Sequence, residues 1–131
     1  MSKLETPMIR RYWNTVGGTL VEEFPVVRRS ATCARRLVDA IILPQGEHRR
    51  AKASEVTLEG QDVIVVQAKA ERLGMYLMGQ AVFSAELVKR FQPASIRSVA
   101  LCSRDDSELR PLLAAFPLVE VVIDPTPRHG S

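Results

Sequence analysis

The sequence predicts an α/β domain built on a mixed β-sheet flanked by helices. Two apolar runs rich in β-branched residues, Leu37-Val38-Asp39-Ala40-Ile41-Ile42-Leu43 and Val63-Ile64-Val65-Val66, read as buried strands. Early strand-like segments are separated only by polar breaks, which implies hairpins and antiparallel pairing. Later apolar segments alternate with helical ones, which implies parallel crossovers. A sheet of both kinds needs helices to cover its faces.

The elements follow in order. Met8, Tyr12, Trp13 and Val16 recur at helical spacing, and Gly17-Gly18 ends or bends that helix. Leu20 to Val27 reads as a strand, with a helical turn ending before Pro25 as the alternative. Arg28 to Ala34 is a polar loop, Arg35 to Leu43 a strand, and Pro44 to Arg50 an exposed turn or long hairpin loop. Glu55 to Leu58 reads as a short strand, Glu59 to Asp62 as a turn, and Asp62 to Ala70 as the central strand. Gly74 to Phe91 is the clearest helix. Its apolar stripe is Leu77, Ala81, Ala85 and Val88, widened by Met78, Val82 and Phe91, and Pro93 stops it. Ile96 to Cys102 is a further strand, Ser107 to Phe116 a short helix with a serine-led start, and Val119 to Ile123 the last strand. Residues 1–124 form one expected domain, and 125–131 a polar, frayed tail.

Composition sets the class. A chain of 131 residues with 46% hydrophobic and 25% charged content is an ordinary globular domain, large enough for one core. Cys33 and Cys102 lie far apart, with no paired-cysteine spacing, which argues against a zinc site or a disulfide. The start, Met1 to Pro7, carries no apolar signal segment, and no run is long enough to span a bilayer, so a cytoplasmic protein without membrane contact is expected. The net charge of +3 is a mild bias. Its distribution is more telling: Arg10-Arg11, Arg28-Arg29, Arg35-Arg36 and Arg49-Arg50 are all paired, and all fall in the first half. The guanidinium fork suits phosphate oxygens, and phosphate contacts supply most sequence-independent nucleic-acid affinity. A solvated basic face is the alternative.

Polar residues inside the apolar runs are the candidate site. Side chains at i and i+2 of a strand share a face, so Gln67 and Lys69 point the same way. Charge on an apolar strand is costly unless partnered. Asp39 on one strand, facing Gln67-Ala68-Lys69 on the next, is an arrangement suited to metal-dependent phosphodiester hydrolysis. That chemistry needs a carboxylate-held cation and an amine near the attacking water. Asp39 fits a bridging metal ligand, Gln67 a neutral oxygen ligand, Lys69 the charge-stabilising amine, and Glu22 or Glu23 a further acid. An Asp39 ion pair with Arg36 or Lys69 is the structural alternative. His48 and His129 lack the neighbours a catalytic histidine requires.

With these residues in place, the chain resembles the PD-(D/E)xK nuclease superfamily, the restriction-endonuclease-like fold, over roughly Arg11 to Ile123. Asp39 matches the first acid, Gln67-Ala68-Lys69 the second motif, and Gly74 to Phe91 the helix behind it. Val38 stands where the name-giving proline would be. Gln67 replaces the usual Glu or Asp, a form shared by certain transposase endonuclease subunits. The resemblance implies a magnesium- or manganese-dependent deoxyribonuclease. Asp39, Gln67 and Lys69 would be catalytic; Asp39, Gln67, Glu22 and Glu23 would surround the metal; Gln80, one turn before Ser84, would support the site. Arg35, Arg36, Arg49 and Arg50 are the expected nucleic-acid contacts. DNA is the expected partner. A chain with no separate recognition domain would act as a homodimer or as a subunit of a larger complex. A non-catalytic nucleic-acid-binding or assembly module that keeps the fold is the alternative, and a structural subunit without nucleic-acid contact a third.

Overall fold

The computed structural model describes residues 3–125. Six strands form one sheet: β1 (Thr19–Val27), β2 (Arg36–Leu43), β3 (Arg49–Arg50), β4 (Asp62–Arg72), β5 (Ser95–Arg104) and β6 (Val119–Ile123). They lie in the order β3-β1-β2-β4-β5-β6. Strand β2 pairs antiparallel with both β1 and β4, whereas β4, β5 and β6 run parallel. This is the mixed sheet expected from hairpins early and crossovers late.

Alternation along the strands assigns the two faces. Ile64, Val66 and Ala68 of β4, with Val99 and Leu101 of β5, pack beneath α1 (Glu5–Val16) on its Met8, Ile9 and Trp13. The intervening Val63 and Val65, with Ala100 and Cys102, face the other way, toward α2 (Met75–Lys89). The inner stripe of α2, Leu77, Ala81, Ala85 and Val88, is buried there. Each fully buried aliphatic side chain contributes roughly 1.5–3 kcal/mol. Leu113 and Leu109 cover the β5–β6 end of the same face.

Gly18 has φ +79°, and a Cβ there would collide with the Leu43 carbonyl, so this turn requires glycine. The Trp13 indole N–H donates to the Gly18 carbonyl at 2.7 Å, and its ring stacks on His48 at 4.3 Å. His48 is thereby a packing partner of the turn.

Three expectations change. Glu55 to Leu58 is not a strand: Ala53–Glu55 is a 3₁₀ turn, because the Glu55 carboxylate accepts the Lys52 N–H at 2.7 Å and closes the chain on itself. Arg49–Arg50, read as loop, forms the short parallel edge β3 against Thr19 and Leu20. The helix expected from Ser107 is a 3₁₀ segment, Arg110–Ala115, led by Asp106, whose carboxylate accepts the Glu108 and Leu109 N–H groups at 2.9 Å. Pro111 removes a donor from its first turn. The polar tail lies outside the described residues from 126 on. Among the described residues no helix is long and apolar enough to cross a membrane.

Candidate active site at the strand split

Strands β2 and β4 part company at the candidate residues. Their ladder runs from Ile42–Ile64 to Ala40–Val66 and stops. Beyond that point β1 stays with β2 as far as Arg36, and β4 stays with β5. In antiparallel register the next pair would be Asp39 and Gln67, and there side chains replace the ladder. The Asp39 N–H donates to Gln67 Oε1 at 3.2 Å, and the Ala68 N–H donates to Asp39 Oδ2 at 2.9 Å. Gln67 Nε2 donates to Ser84 Oγ of α2 at 2.6 Å. Two residues beyond Ala68, the Ala70 N–H donates to Glu5 Oε2, from the first turn of α1, at 3.0 Å. Backbone donors left bare by the split are thus satisfied mainly by carboxylates, as buried amides must be satisfied by something.

That arrangement concentrates negative charge. Burial pushes the Asp39 carboxyl above its usual range; the Ala68 N–H opposes the shift, while Glu5 and Glu23 add to it by like-charge repulsion. Glu5 is the acid that sequence reading missed. Its signal is an acid just ahead of the apolar periodicity, but that periodicity starts the helix only at Met8, after Pro7. Proline is well tolerated in a first helical turn, so the helix begins earlier, at Glu5.

The other expected residues fall in distinct places. Lys69 is exposed on β4, two residues beyond Gln67 and beside Cys102 of β5, hence on the α2 side. No ion pair joins Asp39 to Lys69 or Arg36 among the described residues. Glu22 lies on the α1 side, where its two oxygens accept from Arg10 Nε at 3.1 Å and Nη2 at 3.0 Å, and Arg50 approaches at 3.7 Å. Glu23 sits at φ +53°, a left-handed conformation rare for a non-glycine residue. Glu22 shares the α1 face with Leu20, and this twist sends Phe24, two residues on, to the opposite face against Phe91.

An open groove of about 620 Å³ runs beside the split, with Gln67 in its floor and Gln80 and Ser84 of α2 along one wall. Arg35 and Arg36 line the opposite side. Arg49 and Arg50 lie elsewhere, on edge strand β3, each next to carboxylates: Arg49 to Glu47 and Glu55, Arg50 to Glu22.

No family model, no curated protein and no solved structure matches this chain. Among the described residues no three Asp, Glu, His or Cys side chains are grouped closely enough to hold a metal ion. A magnesium-type ion takes only one or two carboxylates and fills its shell with water and phosphate oxygens. Asp39 has Oδ1 outside its bond to Ala68, and Gln67 Oε1 accepts the Asp39 backbone N–H at the same junction. This oxygen pair, in a negative surround, fits such an ion.

Proposed function

We propose that this domain is a metal-dependent deoxyribonuclease of the PD-(D/E)xK type. The observation that carries the reading is the Asp39–Gln67 junction at the strand split, with Lys69 following on the Gln67 face. An acid with raised affinity for protons, bonded across the split to the strand whose Gln67 lines the groove, is the kind of group that binds cations or handles protons. Asp39 Oδ1 and Gln67 Oε1 would hold magnesium or manganese. When bound, the ion supplies a polarised phosphoryl oxygen and a more acidic water. The Lys69 amine orients the attacking water and stabilises the charge that develops on the phosphate. Gln80, whose amide has no side-chain partner among the described residues, faces the groove and contacts the sugar-phosphate chain. Cutting both strands of a duplex would pair two copies about a two-fold axis.

A second reading, a nucleic-acid-binding or assembly module without catalysis, has its own support. The same Asp39 and Gln67 atoms close the split as structural bonds, and Gln67 is only 3% exposed. The deciding experiment offers purified protein nicked, branched, single- and double-stranded DNA with magnesium or manganese. Cleavage abolished in Asp39→Asn and Lys69→Ala supports the nuclease. The Gln67→Glu variant restores a carboxylate, so manganese should raise its melting temperature. No cleavage of any substrate, together with no manganese effect on that variant, transfers the conclusion to the binding module.

A further inference from the structure

Helix α2 presents a second apolar stripe, to solvent. Met75 and Tyr76 are each 75% exposed and Phe83 is 69% exposed, although the helix already buries its opposite side against the sheet. Single exposed apolar residues need no explanation, but these three line the same groove as Gln67 and Gln80. Across the groove stand Arg35 and Arg36, the end of a loop that also carries the exposed Arg28 and Arg29. None of these four arginines makes an ion pair among the described residues, and no carboxylate lines the groove.

We propose that this groove binds an unpaired DNA strand, its bases stacked on Tyr76 and Phe83 and its phosphates held by Arg35 and Arg36. The inference rests on the nuclease reading and names its substrate. Open aromatic faces opposite unpaired cations match a partner carrying π-faces and regular negative charge. A single strand offers both, whereas a duplex keeps its base faces stacked inside. The two rings are seven residues apart, about 10.5 Å along the helix. That exceeds a base step of about 3.4 Å, so each ring serves a separate nucleotide. The strand is then led along the groove past Gln80 to Gln67 and the split. A second copy of the chain is a poorer occupant, because a two-fold contact at this groove would bring its unpaired arginines together with no acid to meet them.

The test is fluorescence anisotropy in EDTA, comparing a labelled oligodeoxynucleotide with its duplex. The wild-type protein should bind the strand more tightly than the duplex. Tyr76→Ala and Phe83→Ala, both at exposed positions, should each weaken strand binding about tenfold with the salt dependence unchanged. Removing Arg35 and Arg36 together should lower the salt slope by about 0.7 per arginine. Equal affinity for the duplex, or aromatic variants that bind the strand as well as wild type, would overturn the proposal. So would aromatic variants that only dissociate a dimer in sedimentation. Omitting metal separates the two readings. Strand binding without cleavage in any buffer retains this inference and removes the nuclease. Cleavage that needs Asp39 and Lys69 but is untouched by Tyr76→Ala and Phe83→Ala does the reverse.

Discussion

Asp39 carries its charge at a cost that follows from its position. Its carboxyl is driven up by burial and by Glu5 and Glu23, against the Ala68 N–H and the positive charge of the N-terminus. The folded protein therefore holds this proton to higher pH than the unfolded chain, whose Asp titrates near about 3.9. Stability linked to Asp39 is fully present below that value and lost as pH rises through the raised folded one. Asp39→Asn keeps an oxygen for Ala68 and removes the charge, so it should melt above wild type at neutral pH, with the gap closing toward pH of about 4. Equal melting temperatures at neutral pH would rule out the charge penalty. Glu5→Gln keeps an acceptor for Ala70 and removes one repelling charge, so an NMR titration should find the Asp39 carboxyl moved back toward the ordinary range. Activity should fall in Asp39→Asn despite the added stability, the usual trade at a strained functional position.

At the scale of elements, the split between β2 and β4 is held by side chains that reach across from α1 and α2. Ser84 is 5% exposed, and its hydroxyl accepts from the buried Gln67 amide. Ser84→Ala leaves that amide unsatisfied and should cost about 1–3 kcal/mol, read from urea unfolding. Because Gln67 would then reorient, the same variant should impair cleavage. A stability unchanged within error would mean that water replaces Ser84. The inner stripe of α2 was readable because period 3.6 is a local property of the chain. The opening between the strands was not: Asp39 and Gln67 lie in unbroken apolar runs, and nothing local says that pairing stops there.

For the molecule as a whole, the arginine pairs look alike in sequence and differ once folded. Arg49 and Arg50 lie beside Glu47, Glu55 and Glu22, whereas Arg35 and Arg36 face the groove without carboxylates. Exposed ion pairs contribute little to stability, so Arg49→Ala with Arg50→Ala should change the melting temperature only slightly. That double variant should also leave the salt dependence of DNA binding nearly unchanged, unlike Arg35→Ala with Arg36→Ala. Equal loss of slope in both would show that the basic surface acts diffusely rather than through the groove.

Hydrophobic periodicity and turn residues were enough to determine the α/β class, both main helices, and the central strands with Asp39, Gln67 and Lys69 on them, because these follow from side chains a few residues apart. Gln67 and Lys69 on one strand face likewise needs only the two-residue repeat. Contacts between distant segments decided the rest. Glu5 joins Asp39 because α1 lies across the split, some 34 positions away in the chain. Phe24 leaves the face that Leu20 and Glu22 share because the left-handed turn at Glu23 reverses the faces of β1. Burial and charge sum over everything within reach of a group, whatever its place in the sequence, so the electrostatics of Asp39 and the freedom of Arg35 and Arg36 exist only in the folded chain.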